Sequence, residues 1–122
     1  TKKNMKPTKD MVIGLNISGL SENLFVSISK LVSSVNYVRH LGANELEVCY
    51  FAQGSIDAYI DLRNKIRAID MAACYLIAKE AGGFIFDMVG NDLNCDLAVD
   101  SRMSFVAVSN YEMFSWISTL IR

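Results

Sequence analysis

The chain has 122 residues, of which 52% are hydrophobic, so it is the size of one domain and can bury a substantial core. A formal net charge of -1, with 20% charged residues and no basic tract, argues against a nucleic-acid partner. No apolar run reaches the roughly 18–20 residues of a membrane span, no signal peptide is visible, and the first residue is Thr1 rather than Met; a fragment, a processed product or an incomplete chain is therefore expected.

Residues 1–10 are polar and lysine-rich, carry the only proline (Pro7), and read as a leading linker. Residues 11–17 (MVIGLNI) read as a buried strand, and Ser18-Gly19 turns the chain. Ser21 opens a helix in which Leu24, Ile28, Leu31 and Val32 recur at helical spacing to about residue 34. Residues 35–39 are apolar enough for a second strand. After a break at Gly42, residues 43–53 read as a helix with Leu46, Cys49 and Tyr50 on its apolar face and Gly54 as its stop. Residues 55–62 alternate toward a strand, and a short charged loop with Arg63, Lys65 and Arg67 follows. Residues 67–81 read as a helix. Its stretch 72–78 is apolar nearly all round, as expected of a helix held between two layers. Gly82-Gly83 ends it. Residues 83–88 and 104–109 read as strands, 91–100 as a polar connection, and Asn110 as the cap of a last helix over 111–122. This alternation predicts one α/β domain over 11–122, a mixed sheet of about five strands with helices on both faces.

Cys49, Cys74 and Cys95 are odd in number and form no Cys-x-x-Cys pair, so neither a zinc site nor a disulfide framework is expected, and a reducing cytoplasm fits best. His40 is the only histidine and has no local nucleophile pairing. No glycine-rich nucleotide-binding motif occurs. The chemistry gathers instead where a strand hands over to a helix, because helix N-termini favour anions and phosphate in particular. Asp70 there reads either as a helix N-cap or as a ligand of a hard cation shared with a phosphate. Asp61, at a strand end, is either solvated or functional. Arg63, Lys65 and Arg67 either clamp phosphate oxygens or make a soluble loop. Arg39-His40 followed by Gly42-Ala43-Asn44 places backbone amides at another helix start, a second candidate anion or sugar site.

Three stretches together resemble the inositol monophosphatase family, most closely its archaeal members with combined fructose-1,6-bisphosphatase and inositol monophosphatase activity. Val38-Arg39, Gly42-Ala43 and Leu46-Glu47-Val48-Cys49 resemble the family's Arg-x-x-Gly-Ser-Ala-Ala stretch and its helix. Gly54-Ser55-Ile56-Asp57-Ala58-Tyr59 with Asp61 resembles Gly-x-x-Asp-Ala-Tyr-x-Glu. Ile69-Asp70-Met71-Ala72-Ala73 through Glu80-Ala81-Gly82-Gly83 resembles the signature that begins Trp-Asp-x-Ala-Ala-Gly, with Ile69 in place of Trp and Cys74 where Gly is common.

The resemblance implies that Asp70 is a metal ligand, with Mg²⁺ as the cofactor. It implies that Arg39, Gly42, Ala43, Asn44 and Asp61 contact the substrate, with Arg63 and Lys65 reaching a second phosphate. Asn44-Glu45 interrupts the family's small-residue stretch. The family's N-terminal acidic motifs, which hold most metal ligands and position the attacking water, do not occur here. The chain thus resembles the C-terminal half of a Mg²⁺-dependent phosphatase of inositol monophosphate or fructose 1,6-bisphosphate, inactive by itself and homodimeric when full length. Its partners would be a small sugar or inositol phosphate and the missing N-terminal half. The rival expectation is a non-catalytic sugar-phosphate-binding or dimerisation module.

Overall fold

A computed structural model of the chain describes residues 1–93 and 101–121. Most of the expected connection over 91–100, with Cys95, and the final Arg122 lie outside the described residues. The elements are β1 (Val12–Leu15), α1 (Glu22–Ser34), β2 (Tyr37–Arg39), α2 (Asn44–Ala52), β3 (Ala58–Arg67), α3 (Ala68–Glu80), β4 (Phe84–Phe86), β5 (Arg102–Val108) and α4 (Tyr111–Ile121). The strands form one mixed sheet in the order β2-β1-β3-β5-β4. β1 runs parallel to β2 and β3, whereas β5 is antiparallel to β3 and β4. The α/β architecture with a mixed five-stranded sheet is thus the one the alternating pattern predicts.

Strand periodicity divides the core. Ala58, Ile60 and Leu62 of β3, with Val106 and Val108 of β5, meet Ile28 and Leu31 of α1 and Met113 and Ile117 of α4. Tyr59 and Ile66 of β3, with Met103, Phe105 and Ala107 of β5, meet Val48 and Phe51 of α2 and Met71, Cys74 and Ala78 of α3. Both central strands are buried on both faces, which is why they read as near-continuous apolar runs. Capping chemistry sets the outer helices. The Ser21 Oγ accepts from Leu24 N at 3.3 Å, and Asn110 Oδ1 accepts from Met113 N at 2.9 Å.

Three local expectations are corrected. The charged stretch after Asp61 is not a loop. It is the second half of β3, which resumes pairing with β5 at Ile66–Met103 after a register shift, with Asn64 at φ 56. The buried Ile66 side chain pulls the strand back onto the sheet, and the extra residues bulge outward. The α3 helix is not covered on both sides: Met71, Cys74 and Ala78 face inward, while Ile69 is 76% and Leu76 60% exposed. Only one sheet lies beneath this helix, so its other apolar side faces out. The inward face of α2 is Glu47, Val48 and Phe51 rather than Leu46, Cys49 and Tyr50; Leu46 is 47% exposed and Cys49 is exposed too.

Residues 1–10 form no helix or strand and lie against the domain. Thr1 N donates to the Ala52 carbonyl at 2.9 Å, Lys2 pairs with Asp57 at 3.1 Å, and Asn110 Nδ2 donates to the carbonyls of Lys3 and Met5. Asp57 also accepts from Val12 N at 2.9 Å, stitching β1 to the start of β3.

Candidate functional site

The parallel strands β2, β1 and β3 bring their C-terminal ends to one edge, the usual place for a ligand crevice in an α/β sheet. The loop after β1 and the loop after β2 are tied together there by His40. Its Nδ1 lies 3.0 Å from the Leu15 carbonyl, and its Nε2 lies 3.2 Å from the Ser18 Oγ. A carbonyl only accepts, so Nδ1 carries the proton in the neutral ring and Nε2 accepts from the Ser18 hydroxyl.

Asp61 and Arg63 are brought together as a pair. Asp61 has no exposed surface. Its Oδ1 accepts from the Arg63 backbone N at 3.0 Å and from Nε at 2.9 Å, while Oδ2 accepts from Nη2 at 3.0 Å. Arg63 Nη1 donates to the Ser18 carbonyl at 3.3 Å. Hydrogen bonding to Asp61 raises the Arg63 pKa still further, so this guanidinium is permanently charged. The Lys65 ammonium sits beside the same turn, 3.0 Å from where a side-chain carbon on Gly19 would stand.

The other predicted contacts cluster around the start of α2. Gly42 takes φ +77, a left-handed turn that a side chain would strain. Ala43 is the N-cap and makes no side-chain cap bond. Arg39 lines a cavity of about 220 Å³ with Leu41, Glu47, Tyr50, Ser55 and Ile56. Two residues here escaped the sequence reading as site residues. Tyr59, fully buried, donates from its hydroxyl to Asn44 Oδ1 at 2.5 Å. Burial, with the nearby charges of Glu47 and Asp61, pushes its ionisation far above the ordinary tyrosine range. Glu47 is 1% exposed; its Oε1 accepts from Leu41 N at 3.3 Å, and its Oε2 has no partner. Burial raises the Glu47 pKa, partly offset by the Leu41 N–H and the Tyr59 hydroxyl. The only signal for Glu47 was a carboxylate among apolar helix positions. Tyr59 stood inside a recognised motif without a role.

Asp70 lies in the first turn of α3, half-buried. It is not the N-cap. Arg67 occupies that position and makes no side-chain cap bond, so Asp70 favours the helix only through the dipole. Among the described residues no hydrogen bond or ion pair reaches its carboxylate. Cys74, one turn further on, has its thiol pushed up to about 12 by burial, with Glu45 and Asp70 adding to the effect. α2 and α3 pack on the same face of the sheet through Val48, Phe51, Met71, Cys74 and Ala78. No group of three or more His, Cys, Asp or Glu side chains forms a metal cage among the described residues. The free Asp70 carboxylate fits one ligand position of a hard cation, and no more than one. No helix among the described residues is long and apolar enough to cross a membrane.

Sheet order and the placement of these side chains define an α/β domain whose polar residues gather at the C-terminal edge of its parallel strands. The model of the inositol monophosphatase family matches residues 3–120, and the chain belongs to that family. It is 41% identical over 96 residues to the fructose-1,6-bisphosphatase/inositol-1-monophosphatase of Methanocaldococcus jannaschii, a match covering 79% of this chain and 38% of that protein. A bifunctional NADP phosphatase/NAD kinase of Methanococcus maripaludis is 35% identical over 105 residues, covering 84% of this chain and 18% of that protein. A crystal structure of an inositol monophosphatase-fructose 1,6-bisphosphatase superposes with a TM-score of 0.81 and 37% identity, over 97% of this chain and 44% of that one. The chain thus spans less than half the length of the relatives it matches.

Proposed function

We propose that this chain is the C-terminal α/β domain, residues 11–122 behind a leading segment, of a Mg²⁺-dependent phosphatase of inositol monophosphate, fructose 1,6-bisphosphate or both. The observation that carries the reading is the unpaired Asp70 carboxylate at the start of α3 in a chain of a phosphatase family. Asp70 would hold the Mg²⁺, which when bound supplies charge stabilisation at the phosphate and an activated water. Arg39, Gly42, Ala43 and Asn44 would line the sugar. Arg63, oriented by Asp61, would present its charge to the substrate with Lys65; Asp61, itself buried, would reach a hydroxyl only if Arg63 moved aside.

One carboxylate cannot assemble a catalytic metal site, so the remaining ligands and the water-positioning groups would come from an N-terminal half. The whole enzyme would be a cytoplasmic homodimer. The test is an assay, with Mg²⁺, of the isolated chain and of the longer polypeptide containing it, on inositol 1-phosphate, fructose 1,6-bisphosphate and NADP. Turnover of either sugar phosphate by the longer polypeptide alone is the expected result. Equal turnover by both proteins contradicts the half-enzyme reading, and no turnover by either favours a binding module. Turnover of NADP alone moves the substrate class.

A further inference from the structure

The two helical layers differ in what they show to solvent. On α1 and α4 the exposed apolar side chains are interleaved with Glu22, Lys30, Ser33, Glu112, Ser115 and Thr119. On α3 every exposed residue from Ile69 to Leu76 is apolar: Ile69, Ala72, Ala73 and Leu76, which recur at helical spacing along one side. Leu46 and Cys49 are exposed on α2, which packs with α3 on the same face of the sheet. A helix that is apolar on every side belongs between two layers, and a continuous exposed apolar surface marks an interface. Asp70 follows Ile69 in the first turn of α3, and its free carboxylate fits one ligand position of a hard cation. Whatever supplies the other ligands has to come against that same turn. A second copy of this chain has no group of three or more such ligands to bring, among the described residues. The chain spans 38% of the Methanocaldococcus jannaschii relative and 44% of the superposed crystal structure, so more than half of each lies outside the match.

We propose that this face, Leu46 and Cys49 of α2 with Ile69, Ala72, Ala73 and Leu76 of α3, is the surface on which the N-terminal half of the longer polypeptide docks through an apolar face of its own. The proposal rests on the half-enzyme reading. Docking buries Ile69 and Leu76 and puts α3 between two layers, as its all-round apolar pattern demands. It also carries groups of the N-terminal half to Asp70, so one contact both hides the apolar stripe and brings the remaining ligands. The α1 and α4 layer keeps its polar side chains in water.

The test is thiol labelling of the longer polypeptide, with Mg²⁺-dependent turnover of inositol 1-phosphate and fructose 1,6-bisphosphate assayed on the same preparation. Cys49 is exposed in this domain and is the native probe on α2; Leu76→Cys adds a probe on α3. Each labelled peptide is mapped by mass, so every thiol is read separately, and the urea-unfolded polypeptide gives the reference rate. Both thiols react more than about tenfold more slowly in the native polypeptide, because the reagent reaches them only when the halves part. Labelling of Cys49 in the unaltered protein within about tenfold of the reference rate means an open face and overturns the proposal. That measurement carries the test if Leu76→Cys fails to fold. Protection that persists when the polypeptide is diluted to the monomer supports the proposal. Protection lost on dilution assigns the face to a second copy and overturns it. Turnover separates this proposal from the reading beneath it. Fast labelling with turnover removes the docking face and leaves the phosphatase reading; slow labelling in the monomer without turnover removes the phosphatase reading and supports the docking face.

Discussion

Asp61 and Asp70 are the same residue type on adjoining elements, yet their surroundings differ in kind. Asp61 is fully buried and accepts three N–H groups from Arg63. Asp70 is half-buried in the first turn of α3 with no partner among the described residues. A carboxylate whose oxygens are already bound to a guanidinium stabilises the fold and orients that guanidinium. An unpartnered one at a helix start remains available to a cation. The difference shows that an aspartate's place in a motif says less about its role than the hydrogen bonds it has already made.

If that contrast holds, unfolding measurements separate the carboxylates. Asp61→Asn leaves Arg63 without its counter-charge in a largely buried setting, where the Arg63 side chain is 13% exposed. The expected loss is about 3 kcal/mol of stability, read from urea or thermal unfolding. A loss below about 1 kcal/mol would put the pair in the surface class and erase the distinction.

Glu47 is the intermediate case, a buried carboxyl with one oxygen bonded and one bare. Its pKa is raised in the folded state, so the fold holds its proton more tightly than the unfolded chain does. Stability must then fall as pH rises from the ordinary carboxylate range through the raised value. The Leu41 N–H, Tyr59, His40 and the Ala43 N–H are the groups that oppose the rise. Glu47→Gln keeps an acceptor for Leu41 and has no proton to lose, so its melting temperature loses that decline. A decline of equal size in both proteins would assign the pH dependence elsewhere.

Asp70→Asn has the smallest expected effect on stability, below about 1 kcal/mol, because only the dipole contribution of one charge is removed. A loss comparable to that of Asp61→Asn would mean that Asp70 has a structural partner.

Much of the fold was legible because local chemistry decides it. Ser21 and Asn110 cap helices by side-chain bonds to residues three positions on, and β3 and β5 alternate between two cores. What misled was decided at long range. The polar run from Arg63 reads as a loop, and only Ile66 pairing with Met103 on β5 makes it strand. Glu47 lay off the apolar face given by Leu46, Cys49 and Tyr50, and it turns inward to meet the amide of Leu41. At the site, the resemblance picked out Asp61, Arg63 and Asn44. It could not tell that Asp61 and Arg63 bind each other, or that Tyr59 holds Asn44, because those contacts are made by side-chain geometry rather than motif spacing.

The central claim, that the unpartnered Asp70 is a cation ligand, is tested most directly by Mg²⁺-dependent turnover of the longer enzyme carrying Asp70→Asn. Loss of a direct ligand should exceed the about 10–100-fold cost of losing an outer-shell partner, and should shift the Mg²⁺ dependence to higher concentration while the fold stays intact. Turnover within about twofold of the unaltered enzyme, at an unchanged Mg²⁺ midpoint, would contradict it.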